Sequence, residues 1–288
     1  MTTEQIEQIG VAFDDVFFLI GAAILAIEIA KGLFERSLRG RGFMDIVASI
    51  STQIPSVLAE TFVLAFAYVG YVLVADTFVT WTLPIAFWSA ALALLACDFV
   101  YYWEHRLAHE IRVLWTQHAV HHSSRYMNAS VAVRFGPLEG VITALIHLPL
   151  VLIGFPPELV FFGILVVLAY QTWIHTELIG KLGPLDRFLN TPANHRVHHG
   201  CDDKYIDKNY GGILIIWDRI FGTYQEEEER PNYGLKRDFD SVNPVVVWFS
   251  ELPQFFRDLK GARSLGEAWM YIFGRPGWAP KKLDEREG

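Results

Sequence analysis

An all-α integral membrane protein, with about four to five transmembrane helices and a helical cytosolic cap carrying a His-rich di-metal site, is the fold class this sequence predicts. Three observations carry that expectation. The composition is 52% apolar and only 19% charged, on the membrane side of the usual soluble mix. The apolar residues gather into runs close to the roughly 20 residues that a helix needs to cross a hydrocarbon core. Nine of the ten histidines fall into four groups: His105 and His109; His118, His121 and His122; His175; and His195, His198 and His199.

In chain order, the first apolar run extends from about Val16 to Phe34. Glu4, Glu7, Asp14 and Asp15 precede it, where a cleavable leader would carry positive charge, so it reads as a span. A second run covers about 56–75 and a third about 85–102. The fourth and fifth, about 138–153 and 159–173, flank Gly154-Phe155-Pro156-Pro157, a turn that makes them a helical hairpin. Both arms are short, so they tilt, thin the bilayer, or dip into it.

The third run continues as helix beyond the lipid. No proline or glycine interrupts 85–110, and a helix of that length is about 39 Å long at 1.5 Å per residue. It lifts His105 and His109 above the membrane. Asp98 lies on the same stripe, seven residues before His105. An acid inside a span is usually functional. Its expected role is to accept the second ring N–H of a ligand histidine and fix the tautomer. The first triplet sits on a helix or helical turn within 112–134, and Thr191-Pro192 starts a short helix bearing the second. Residues 209–212 read as a turn, and 245–273 as interfacial helices around Pro253 and Gly261. Glu226 to Glu229 reads as a solvated charge run. Three regions follow: N-terminal transmembrane helices over 1–84, a catalytic region over 85–225, and an interfacial or cytosolic tail over 226–288.

Alternating five spans puts 35–55, 103–136 and 174–288 on one side, and all 24 Lys and Arg residues fall in or beside that set. The positive-inside rule makes it the cytosolic side. The nine clustered histidines share it. The expected location is therefore a multi-pass protein of a bacterial inner membrane or an ER-type endomembrane, its histidine site facing the cytosol. Asn128-Ala129-Ser130, a glycosylation sequon in form, lies on the wrong side for modification. The chain ends in no K-D-E-L-type retrieval signal.

A net charge of -8 excludes nucleic acid as a partner. Two distant cysteines, Cys97 and Cys201, exclude a disulfide framework and a zinc ribbon. There is no H-E-x-x-H, Walker loop or G-x-G-x-x-G, so electrons must come from a separate reductant or redox partner.

Imidazole binds metal as the neutral base, and i, i+3, i+4 spacing puts three rings on one helix face. Nine rings suit two ions with four or five ligands each, which leaves open or bridging positions, unlike a closed structural zinc site. Nitrogen-rich, redox-capable coordination suits iron, and open positions at iron suit O2. Beside hydrophobic helices, the chemistry expected is oxidative attack on a C–H bond of a membrane lipid. His147, inside the fourth run, is read as structural. Two other classes remain open here. A metal transporter needs a polar path through the spans, for which only Glu28, Glu60, Asp98 and His147 qualify. A non-catalytic metal- or lipid-binding scaffold would tolerate missing cluster histidines.

The pattern H-x3-H, H-x2-H-H, a lone His and a second H-x2-H-H resembles the fatty acid hydroxylase (sterol desaturase) superfamily of membrane di-iron enzymes over about 85–225. Within it the chain is most similar to the alkylglycerol monooxygenase subfamily. The stretches 101–110, Trp173–Glu177, Leu182–Leu185, Leu189–Pro192, His195–Gly200, Asp207–Gly212, Trp217-Asp218, Phe221–Thr223 and Pro276–Trp278 carry that likeness. The resemblance implies that the nine histidines bind or line a di-iron site and that Glu110 is a catalytically required acid. It implies lipid hydroxylation with O2, cleavage of alkylglycerol ethers, and tetrahydrobiopterin as external electron donor. Sterol or fatty-acyl desaturation and methyl oxidation occur on the same scaffold. Asn194 stands where relatives often carry a further His.

Overall fold

The run that opens the chain forms α1 (Thr3–Phe34), and its start is a capping box. The Thr2 hydroxyl accepts from the Gln5 amide, and the Gln5 side chain accepts back from the Thr2 amide. A computed structural model describes residues 2–38 and 40–280, without the side chains of 55–61. The last part of the expected tail, 281–288, lies outside the described residues.

The next helix, α2 (Arg41–Phe78), is longer than expected. It begins fifteen residues before the apolar run because its first turns are amphipathic: Asp45, Ala48, Ser49 and Thr52 are buried at helical spacing. They pack on the short 3₁₀ turn Ala129–Val133. There the fully buried Arg134 donates to Asp45 at 2.8 Å and to Ser49 at 3.3 Å.

α3 (Phe87–Glu110) is the uninterrupted helix expected from the absence of glycine and proline. One extended residue, Ile111 (φ -113°, ψ 118°), separates it from α4 (Arg112–His122). The hairpin is α5 (Glu139–Leu152) and α6 (Pro157–Tyr170), with Gly154 at φ +99° in the turn and Pro157 in the first helical position. α3 and α6 form the central pair, flanked by α1 on α6 and α2 on α5. Their close approach needs Gly163, where a Cβ would lie 2.5 Å from Cys97 Sγ and 3.2 Å from the Ala93 carbonyl. Around that contact Ile6, Tyr71, Leu150, Leu159, Val160 and Ile164 form the apolar core.

The cap is built from short helices: α7 (Pro192–His198), α8 (Ile216–Phe221), α9 (Pro244–Trp248), α10 (Leu252–Lys260) and α11 (Leu265–Phe273). Among the described residues there is no β-strand, only isolated bridges at Leu189–Leu214 and Gly200–Tyr233. The all-α expectation therefore holds. The number of spans is a separate matter. Among the described residues α1 alone is both long and apolar enough to cross a membrane by itself, and Phe62–Phe78, Glu139–Leu152 and Pro157–Trp173 are shorter apolar helices. Asp98 and Glu104 dilute the apolar character of α3.

Candidate metal centre

His105 and His109 lie one turn apart on α3; His118, His121 and His122 lie on α4; His195, His198 and His199 lie on and just after α7. His175 follows the 3₁₀ turn Gln171–Trp173 that ends α6. The fold brings all nine together as two groups. His105, His109, His118, His122 and His198 offer nitrogens within 4.8 Å of one another, and so do His121, His175, His195 and His199. Each triplet is split between them. The i, i+4 pairs His118/His122 and His195/His199 each keep to one group, while His121 and His198 cross to the other. Both α4 and α7 thus serve both sites.

Ring protons decide what the groups can bind. Nδ1 of His105 faces the carbonyl of Tyr210 at 2.9 Å, that of His198 the carbonyl of Lys208 at 3.0 Å, and that of His175 the carbonyl of Gln171 at 2.8 Å. A carbonyl oxygen only accepts, so in these rings Nδ1 carries the proton and Nε2 is bare. Yet Nε2 atoms meet Nε2 atoms: His105 to His118 at 2.9 Å, His118 to His122 at 3.1 Å, and His122 to His198 at 3.0 Å. In the second group His121 and His175 stand at 3.1 Å, His175 and His195 at 2.8 Å, and His195 and His199 at 3.1 Å. No assignment of one proton per neutral ring satisfies the run from His105 to His198. Its two ends are bare, so His118 and His122 would each have to donate outward, and neither Nε2 would keep a lone pair to accept from the other. His109 Nε2 is also buried with no hydrogen-bond partner. Converging lone pairs in a buried site are stabilised by a cation. Nitrogens about 3 Å apart also match neighbouring ligands on an ion with metal–nitrogen bonds of about 2.1 Å. The residues present fit two metal ions.

Burial keeps these rings in the ligand form. It lowers His109 to about 4, His118 to about 3 and His175 to about 4, and takes His105, His121, His122, His195, His198 and His199 well below the usual imidazole value. Neighbouring imidazoles deepen the effect for most of them, because one protonated ring disfavours the next.

A single loop orients three rings of the five-histidine group. Asp207 Oδ1 stands 3.6 Å from His109 Nδ1, and the next two partners are the Lys208 and Tyr210 carbonyls. The loop takes this path because Asp207 (φ 59°) and Asn209 (φ 57°) are left-handed. Asn209 is anchored to the Asn194 and Gln225 carbonyls, and Asp218 accepts from the amides of Tyr210 and Gly211 at 2.7 and 2.8 Å. At Asn194, where relatives often carry a further histidine, the main-chain carbonyl holds this loop while the side chain donates to the Asp186 and Leu189 carbonyls.

Asp98 does something other than expected. It accepts from the amides of Ile213 and Leu214 and from the Trp217 indole, at 2.6, 3.2 and 2.8 Å. Seven residues of helix are about 10 Å, too far to reach the His105 ring. Glu226, Glu228 and Glu229 are solvated, but Glu227 is 12% exposed and binds Arg196 through two bonds of 2.6 and 2.7 Å. Arg196 lies inside the second triplet and also donates to the Thr176 and Ile179 carbonyls, tying α7 to the His175 segment. Glu110 turns from the histidines towards Arg106 and Arg275, at 3.2 and 3.3 Å. His147 donates from Nδ1 to the Thr143 carbonyl and joins neither group.

Two acids near the rings escaped the sequence reading: Asp207, and Glu139, whose Oε1 is 3.4 Å from His118 Nδ1. Asp207 opens a stretch singled out only for its likeness to the family, just ahead of the turn read over 209–212. Glu139 opens an apolar helix, which is where an acid also serves as a plain N-terminal helix charge.

Residues 90–223 match the fatty acid hydroxylase family. The chain is 39% identical over 239 residues to alkylglycerol monooxygenase of Homo sapiens, covering 83% of this chain and 54% of that one. It is 33% identical over 221 residues to an ornithine lipid hydroxylase of Rhizobium tropici, covering 73% and 66%. To the Delta(7)-sterol 5(6)-desaturase of Eremothecium gossypii it is 30% identical over 178 residues, covering 60% and 47%. The chain thus spans about half the length of the human relative. No solved structure matches it.

Proposed function

We propose that this chain, which belongs to the fatty acid hydroxylase family, is a membrane di-iron monooxygenase that hydroxylates a lipid C–H bond with O2, its substrate class being alkylglycerol ethers. The observation that carries this reading is the pair of buried histidine groups whose bare Nε2 atoms converge. Two irons, when bound there, supply O2 activation and the oxidising power for an unactivated C–H bond.

The remaining work falls to the chain's own residues. The Tyr210, Lys208 and Gln171 carbonyls hold the ring protons on Nδ1 and aim Nε2 inwards. Burial of the rings limits water at the site to the side where His109, His122, His198 and His199 line a cavity. Glu110 anchors Arg275 at the edge of the centre, which makes it a positioning residue rather than a group touching the reacting atoms. Hydroxylation of the carbon beside an ether oxygen gives a hemiacetal, which collapses to an aldehyde and a free glycerol hydroxyl.

Several observations support a multi-pass arrangement with the histidines on the cytosolic side. Phe18, Phe66, Phe87 and Leu145, on α1, α2, α3 and α5, are each more than 60% exposed, as lipid-facing residues are. The cap adds Val245, Phe256, Leu265 and Trp269, exposed on α9, α10 and α11, a surface suited to the interface. Electrons come from a separate reductant, tetrahydrobiopterin being the donor to try first. The identity to a sterol desaturase favours one second reading, desaturation on the same scaffold.

The experiment is expression in membranes, measurement of iron per chain, and supply of a labelled alkylglycerol with O2 and a tetrahydropterin. Two irons per chain are expected, with aldehyde release that disappears in His121→Ala. An unsaturated lipid product with no aldehyde would favour the second reading, and a chain without iron would end both.

A further inference from the structure

Glu28 is the one acid in the apolar run from Val16 to Phe34. A carboxylate in such a run is costly and marks a functional position. Its two oxygens take different partners. Oε1 accepts from the Thr176 hydroxyl, and Oε2 accepts from the Ala129 amide at 2.9 Å. Thr176 is fully buried and directly follows His175 of the four-histidine group. Ala129 opens the 3₁₀ turn Ala129–Val133. One side chain of α1 thus ties that turn to the segment of His175.

A second acid of the N-terminal helices grips the far end of the same turn. Asp45 of α2 is buried and accepts from Arg134, the residue after the turn, at 2.8 Å. It also accepts from the hydroxyl of Ser124, two residues after His122. Arg134 has no exposed surface, and its Nε and Nη2 have no hydrogen-bond partner, so its buried charge relies on Asp45. The next residue, Phe135, lays its ring parallel to that of His121, with centroids 6.0 Å apart and planes at 6°. Its carbonyl accepts from the Trp248 indole at 2.8 Å. Gly136 then presses on α4, where a Cβ would lie 2.6 Å from the Gln117 carbonyl oxygen. The turn is fixed at both ends, and it delivers a flat wall to His121.

We propose that Glu28 and Asp45 are positioning residues of the four-histidine group, which makes α1 and α2 parts of the metal centre and not only its membrane anchor. The proposal rests on the di-iron reading above. Both acids lie before residue 90, where the match to the family begins. Each acts through another residue: Glu28 holds the backbone that carries His175, and Asp45 the backbone that backs His121. Nε2 of His175 stands 2.8 Å from that of His195 and 3.1 Å from that of His121. Metal–ligand distances tolerate only about 0.2 Å, so slack in either segment weakens this ion. The five-histidine group takes its outer support from the Asp207–Tyr210 loop instead and is left intact.

The test uses the full-length chain in micelles, loaded with the Mössbauer isotope of iron. Glu28→Leu removes both acceptors and makes α1 more apolar, so membrane insertion does not suffer. Glu28→Gln keeps both contacts, because its amide oxygen accepts from Ala129 and its amide nitrogen donates to the Thr176 hydroxyl. Wild type is expected to show two iron components of equal area. Glu28→Leu is expected to weaken one ion about 10- to 100-fold in chelator competition, the ion whose component His175→Ala also removes, and to leave the other in place. Asp45→Asn is expected to act on the same component, and Glu28→Gln to restore it. Thr176→Val and Ser124→Ala, which take one donor from Glu28 and Asp45 respectively, give smaller losses at that site if the acid variants do not fold. Both ions held as in wild type, both weakened alike, or Glu28→Gln no better than Glu28→Leu overturns the proposal. Wild type without iron ends the hydroxylase reading itself, so the two failures are told apart.

Discussion

Nδ1 of His105 donates to the carbonyl oxygen of Tyr210 at 2.9 Å, and the amide of that same Tyr210 donates to Asp218 at 2.7 Å. A carboxylate that touches no histidine therefore sets the tautomer of one. Asp218→Asn replaces a double acceptor with a group offering one acceptor oxygen, which frees the loop. Iron affinity of the five-histidine group is expected to fall about 10- to 100-fold, the usual effect of losing an outer partner. Competition with a chelator measures it, and an unchanged affinity would remove the loop from the account.

The two groups predict unequal losses of metal. His175→Ala removes one of four ligands and His122→Ala one of five. Each is expected to lower bound iron from about two per chain towards one, with His175→Ala the more severe. Metal analysis of purified chain settles it. If each variant retains both ions, the rings are not the ligands.

Stability of the metal-free chain should depend on pH in one direction. His109 and His175 titrate at about 4 in the folded chain and His118 at about 3, all below the unfolded value of 6.5. Below 6.5 the unfolded chain takes up protons that the folded one refuses. The stabilisation is present above 6.5 and is lost as pH falls through 4. The Tm of iron-stripped protein is therefore expected to drop between pH 6.5 and 4. A Tm that stays level across this window would show that the rings are already solvated.

Glu227 and Glu226 are neighbours in sequence and opposites in consequence. Glu227→Ala leaves Arg196 buried without its carboxylate, which is expected to cost about 3–5 kcal/mol. Glu226→Ala breaks only an exposed pair with Lys181 and should change stability by less than about 0.5 kcal/mol. Thermal unfolding of the two variants side by side checks the contrast.

Gly163→Val is expected to push α3 from α6, because even a Cβ at 163 would overlap Cys97. The cost of such overpacking is about 1–3 kcal/mol. Cys97→Ala in the same chain should recover part of it. Equal stability of Gly163→Val and wild type would mean that the central pair is looser than described.

The helices and the nine ring positions were legible because both signals are periodic. Apolar runs mark α1, α5 and α6, and the i, i+3, i+4 spacing marks α4 and α7. The amphipathic opening of α2 was hidden by Asp45 and Ser49, which look like loop residues until Arg134 is seen to bury them. The split of each triplet was invisible, since spacing gives a face and not the ring's destination. Main-chain carbonyls that fix tautomers have no residue signature. Asp98 misled because its stripe is shared with His105, but the depth between them is not. Glu227 was lost in a run of four like charges, where one member is buried.

The sharing of α4 and α7 between the two histidine groups bears on biosynthesis. Each group needs rings from before residue 123 and from after residue 194. On the ribosome, neither is whole until the second triplet has emerged. A chain truncated before His195 therefore keeps four of five rings in one group and two of four in the other, chelating surfaces that any stray divalent ion is free to occupy.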